Sequence, residues 1–168
     1  MQQRNRTKTW MTAGVAAAVL LFLDQYTKHL AVSALKDQPS IPIIKNVFEL
    51  SYVENRGAAF GMLQNRQWMF IILTAAVLIV LGWIFHKMPF EKRYIPARFC
   101  ITGLTAGAVG NLIDRVSQGF VVDFFYFKLI DFPVFNVADI YVVVTIILLA
   151  VLLLFYYDEE ELSQIMER

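Results

Sequence analysis

Cysteine is almost missing from this 168-residue chain. Cys100 is the only one, so no disulfide can form within it. Histidine is nearly as scarce: His29 and His86 stand apart, in no metal-ligand spacing, and no metal centre is expected. Charge is thin as well. Only 17% of the residues are charged and the formal net charge is +1, so composition makes no case for nucleic-acid binding. No internal repeat or low-complexity tract appears. What the chain has in excess is apolar: 58% of it is hydrophobic, too much for an ordinary soluble domain. Residues 1–168 are expected to form a single integral membrane domain.

Four membrane spans are expected, at about 10–30, 68–86, 97–115 and 136–157. The second is the plainest. Trp68 to Phe85 is an uncharged run of 18 residues, and at ~1.5 Å per residue it covers about 27 Å, close to the ~30 Å hydrocarbon core. The first is interrupted by the polar insert Asp24-Gln-Tyr-Thr-Lys28-His29. A basic head before an apolar run also suits a secretory signal peptide, with Val32-Ser33-Ala34 as its cleavage site. That insert is too polar and too far from Ala34 for an ordinary signal, so a retained span is preferred. The third is weakly hydrophobic. Gly103, Gly107, Gly110 and Asp114 recur at i, i+4, i+7 and i+11, a single helical face that invites close helix packing. A span buried inside a bundle explains that weak hydropathy.

Between the spans, alternation from about Asn46 to Val53 predicts a short strand, and Glu54-Asn55-Arg56-Gly57 a turn. Ala58-Ala59-Phe60-Gly61 is small and apolar and suits a membrane surface. Residues 116–135 show no regular period and are expected to be a loop, with Phe124–Phe127 as an interfacial aromatic belt. Lysine and arginine at the head and in the 86–98 connection predict that both termini are cytoplasmic. Asp24, Asn55, Asn111, Asp114, Arg115, Asp123, Asn136 and Asp139 then all fall at the outer face. Independent structural acids have no reason to gather at one depth.

No serine or cysteine has a nucleophile's setting. Asp123 lies in Val-Val-Asp-Phe-Phe and Asp139 in Asn-Val-Ala-Asp-Ile-Tyr. Two carboxylates in a semi-apolar site share one proton, so one can activate water while the other polarises a carbonyl. That is the logic of aspartic peptidases. Paired intramembrane acids also serve proton relays, so a small carrier or proton-conducting subunit is the alternative. Blander roles stand beside these. Asp139 suits a helix cap, although Asn136 is better placed for it. Asp24 and Lys28 suit an i,i+4 ion pair. Asn55 suits a turn, and Arg115 either a headgroup contact or a hold on a substrate carbonyl.

Five ordered blocks carry a resemblance over almost the whole chain. They are Asp24-Gln-x-x-Lys28, Asn55-x-Gly57-Ala58-Ala59-Phe60, Gly107-Ala-Val-Gly110-Asn111-Leu-Ile-Asp114-Arg115, Val122-Asp123-Phe124 and Phe135-Asn136-Val-Ala138-Asp139. In these blocks the chain resembles the lipoprotein signal peptidases, or signal peptidase II, bacterial intramembrane aspartic peptidases. Ala106 departs from the glycine frequent there, which touches only local helix packing. The resemblance implies an all-α membrane protein, a four-transmembrane-helix bundle with a small extracytoplasmic β-sheet and a short surface helix. It implies cleavage of prolipoproteins just before a diacylglyceryl-modified cysteine, at the outer face of the bacterial cytoplasmic membrane. It assigns catalysis to Asp123 and Asp139, with Asp24, Lys28, Asn55, Gly57, Asn111, Asp114, Arg115 and Asn136 shaping the site or holding substrate. No cofactor is implied. Lipid-modified precursors and membrane lipid are the expected partners, and a monomer the expected state.

Overall fold

The small-residue face of the third apolar segment organises the packing. In a computed structural model, which describes residues 2–57 and 66–167, this segment is the helix Ile95–Gln118. In chain order the elements are α1 (Gln2–Leu35), β1 (Ile41–Ile44), β2 (Phe48–Asn55), α2 (Gln67–Lys87), α3 (Ile95–Gln118), β3 (Val121–Tyr126), α4 (Val137–Phe155) and α5 (Glu159–Glu167). α1, α2 and α4 are each long and apolar enough to cross a membrane. Their outward faces leave large side chains exposed, among them Phe22, Ile79 and Leu154, the pattern of a surface meant for lipid. α3 is the helix they surround: Ala97, Cys100, Ile101, Ala106, Gly107 and Gly110 are all buried.

Close approach explains the glycines. A Cβ at Gly107 would lie 2.6 Å from the Ala138 carbonyl oxygen of α4, and one at Gly103 would lie 2.5 Å from Thr145 Cγ2. At Gly110 it would collide with the Asp24 carboxylate of α1. The shared face read from the spacing is therefore the seam that α3 presents to α4 and α1.

The strands form one antiparallel sheet in the order β1-β2-β3. Here the structure corrects several expectations. Residues 116–135 are not a structureless loop, because α3 continues to Gln118 and β3 follows. Its first four residues are buried on both faces, so no alternation marked them as a strand. Phe124 is not in an interfacial belt; it is buried against Ala31, Leu35 and Val122. β1, which contains Pro42, is a strand that no alternation in the sequence marks. It is the edge strand, where proline's missing N–H is tolerated. The central strand runs Phe48–Asn55 instead of 46–53, so Asn55 ends a strand before the chain turns. α1 runs unbroken through the polar insert, and the acidic tail includes a helix, α5. The expected surface segment Ala58–Gly61, with part of the second family block, lies outside the described residues.

After β3 the chain doubles back. Phe125 and Phe135 exchange backbone hydrogen bonds of 2.8 and 3.0 Å. This bridge delivers the next residue, Asn136, and the start of α4 to the side of β3.

Candidate active site

Side chains from α1, β2, α3, β3 and α4 meet at one end of the bundle, around a lysine. Lys28 is 3% exposed and Asp24 fully buried. Lys28 Nζ lies 3.0 Å from both Asp24 Oδ2 and Asp114 Oδ2, and donates to Asn111 Oδ1 at 2.9 Å. An ammonium has three N–H donors, and these contacts use them all. The carboxylates also hold backbone. Asp24 Oδ1 accepts from Ala138 N at 3.0 Å, and Asp114 Oδ2 from Val122 N at 3.2 Å. One buried cluster thus joins α1 to α3, α4 and β3.

The cluster sets the next layer. Because Asn111 Oδ1 faces Lys28 and accepts from Asn136 Nδ2 at 3.1 Å, its amide nitrogen faces the other way. That nitrogen donates to Asp139 Oδ1 at 2.8 Å. Asn136 caps α4: its Oδ1 accepts from Asp139 N, while its own backbone N–H donates to Asp139 Oδ2, both at 3.0 Å. Both cap readings are therefore combined in one capping box. Asn136 Nδ2 also donates to Asp123 Oδ1 at 2.7 Å. A single asparagine spans the two aspartates.

The sheet supplies the remaining contact. Val53 is the ladder partner of Asp123, so Asn55, two residues along, lies on the same face. Asn55 Nδ2 donates to Asp123 Oδ2 at 2.8 Å, and its Oδ1 accepts from Gly57 N at 3.0 Å. Asn55 is thus both a turn residue and a partner of Asp123.

Asp123 is 2% exposed. Burial, reinforced by the negative charge of Asp139, raises its pKa to about 7 against the donors Asn55 and Asn136 and the charge of Lys28. Near neutral pH it is poised between acid and base.

Every residue singled out from the sequence lies in or beside this cluster, though not all equally. Arg115 is half-buried at its edge, donates to the Asn111 carbonyl at 3.4 Å and lies 5.0 Å from the Phe70 ring centroid. Its Nε is buried without a hydrogen-bond partner among the described residues. His29 is exposed on α1. Sequence reasoning passes over Gln25. Its Nε2 donates to Asp24 Oδ2, Asp114 Oδ1 and the Gly110 carbonyl at 3.1, 3.0 and 3.2 Å. The signal was its place three residues before Lys28, on the same helical face. Among the described residues no group of three metal-ligating side chains is found.

Residues 16–155 match the family described as signal peptidase (SPase) II. The chain belongs to the signal peptidase II family, and it is an aspartic peptidase of the membrane. It is 51% identical to the lipoprotein signal peptidase of Caldanaerobacter subterraneus subsp. tengcongensis over 131 residues, which is 77% of this chain and 87% of that protein. Identity to the Clostridioides difficile lipoprotein signal peptidase is 52% over 126 residues, 75% and 83% of the two chains. A solved bacterial membrane enzyme superposes with a TM-score of 0.74 at 34% identity, covering 85% of this chain and 87% of its own.

Proposed function

We propose that this signal peptidase II removes the signal peptide from diacylglyceryl-modified prolipoproteins, cleaving before the lipidated cysteine, with Asp123 and Asp139 as its catalytic pair. The observation that carries this is the span of Asn136 between the two carboxylates, one of them raised to about 7. Asp139 is the base. It lies in the first turn of α4, where a carboxylate is favoured, accepts from the Asn111 side-chain amide of α3 and the Asn136 backbone N–H, and is the less buried of the two. Asp123 carries the shared proton. Water attacks the scissile carbonyl carbon and gives its proton to Asp139, while Asp123 protonates the carbonyl oxygen. The C–N bond then breaks as Asp139 protonates the leaving nitrogen and a hydroxyl of the tetrahedral intermediate returns a proton to Asp123. Asn55, Asn111 and Asn136 hold the carboxylates. Lys28, with Asp24 and Asp114, acts through Asn111. Gly57 steadies Asn55, and Arg115 flanks the substrate path.

The same reading takes α3 as a fourth span within the three apolar helices. The basic residues Arg6, Lys8, Lys92, Arg93 and Arg98 gather at the end remote from the aspartates. That supports cytoplasmic termini and a site near the outer face. A lipid-anchored precursor then reaches the site from within the bilayer, and the enzyme acts as a monomer. The test is cleavage of a diacylglyceryl-modified precursor peptide by purified protein, beside Asp123→Asn and Asp139→Asn checked for folding. Wild type is expected to cut before the lipidated cysteine. A folded variant with near-normal activity would remove that aspartate from catalysis.

A further inference from the structure

At the end of the bundle remote from the aspartates, a groove of about 340 Å³ lies between α1 and α3. Its walls are mostly apolar, with Ala13, Ala16, Phe85 and Phe99 beside Thr9, Thr12 and Thr102. Its mouth is cationic, with Lys8 from α1, Lys92 from the α2–α3 connection and Arg98 from α3. Arg6 adds to this field. Its guanidinium and that of Arg98 lie 5.7 and 5.1 Å from the centroid of one ring, Phe90.

Arg98 is the unusual member. It is 6% exposed, and among the described residues it forms no ion pair. Its terminal nitrogens donate to the backbone carbonyls of Met88, Pro89 and Glu91, and its Nε is buried with no hydrogen-bond partner among the described residues. A buried guanidinium that meets carbonyl dipoles and one ring face but no carboxylate among the described residues is costly, and an anion at the groove mouth would complete it.

A second apolar channel of about 380 Å³, which shares Ala13, Phe85 and Thr102 with the groove, also follows α1, open at Gly14 and Gly82, where an added Cβ would meet nothing within 4 Å. Ile95 and Phe99, which line the first groove, are 56% and 62% exposed. A soluble anion has no use for such a trough, and a peptide would find few backbone partners along its apolar walls.

We propose that this groove binds one anionic phospholipid, its phosphate held by Lys8, Lys92 and Arg98 and an acyl chain laid along α1. Basic side chains at a membrane interface favour anionic over zwitterionic lipid, each adding to the preference.

The test is native mass spectrometry of the delipidated full chain in detergent, titrated with phosphatidylglycerol or phosphatidylcholine, with thermal unfolding in parallel. One phosphatidylglycerol per chain is expected, with about tenfold preference over phosphatidylcholine. The double variant Lys8→Gln with Lys92→Gln, both outside the aspartate cluster, should weaken phosphatidylglycerol binding about tenfold. Ala16→Phe, which fills the trough and leaves the charges in place, should weaken both lipids. Peptide cleavage by these variants in detergent reports that they are folded. Equal binding of the two lipids, or binding unchanged in both variants, overturns the proposal. So does inorganic phosphate that displaces phosphatidylglycerol at equal concentration, because the acyl chain would then contribute nothing.

Discussion

The two ends of this helix bundle both carry charged side chains, and they use them in opposite ways. At the aspartate end Lys28 is buried between Asp24 and Asp114, and every donor it has is taken. At the other end Arg93 pairs with Glu161 at 2.7 Å on the surface, tying α5 to the α2–α3 connection. Arg93 also lies 3.8 Å from the Tyr156 ring centroid, and its burden is shared with solvent. Buried ions give little net stability when complete but cost much when one partner is lost, whereas exposed pairs are worth little either way. The buried end therefore holds one geometry, which a two-carboxylate site needs. The exposed Arg93–Glu161 pair can be altered at small expense.

This contrast can be broken most directly at the aspartates. Asp123→Asn and Asp139→Asn should each lower the cleavage rate by about a thousandfold or more, while circular dichroism stays native. Asp123→Asn should not lower the unfolding midpoint, since it removes a buried group that resists ionisation. Next in size is Lys28→Met. It strands Asp24 and Asp114 and should cost about 3–5 kcal/mol in denaturant unfolding. In molecules that remain folded it should also lower kcat, because Asn111 is then free to turn its carbonyl toward Asp139.

Glycine gives a matched comparison of the two ends. Gly107→Ala drives a Cβ toward the Ala138 carbonyl and should cost about 1–3 kcal/mol. Gly82→Ala, which meets nothing within 4 Å, should leave stability unchanged or slightly raised, read by the same melts. The pH profile is a smaller and sharper test. Asp123 must be protonated to act as the acid, so kcat/KM should fall about tenfold per pH unit above about 7. Its folded pKa is raised from 3.8, so the folded state keeps a proton that the unfolded chain releases. Stability should then decline as pH climbs from 3.8 through about 7, and Asp123→Asn should flatten that slope. Smallest of all is Glu161→Gln at the exposed end. Its effect on the unfolding midpoint should be slight and should vanish in high salt.

Much of the site was legible because polar residues in apolar surroundings are conspicuous. Asp123 between Val-Val and Phe-Phe, and Asp139 ahead of a long apolar run, marked themselves. The helical period of Gly103, Gly107, Gly110 and Asp114 located the packing seam, because a regular helix maps spacing onto a face. Three of the long helices, α1, α2 and α4, followed from apolar length. Asp24 and Lys28 were paired from their spacing alone, as the structure has them.

Other features depend on contacts between segments distant in the chain. β3 was invisible because Val121 to Phe124 are all buried, with α1 packed against Val122 and Phe124, which erases alternation. The register that sets Val53 against Asp123, and so Asn55 beside the carboxylate, is a property of two strands and not of either one. Gln25 joins the cluster only because α3 brings Gly110 and Asp114 within reach of α1. The sequence by itself determined the four long helical segments, where the polar groups lie along them and the family to which they belong, since these rest on composition, period and order. Only the tertiary structure decided that Lys28 turns Asn111 toward Asp139 and that Asn136 spans both aspartates. Hydrogen bonds of that kind depend on the direction of each donor, which no spacing along a chain encodes.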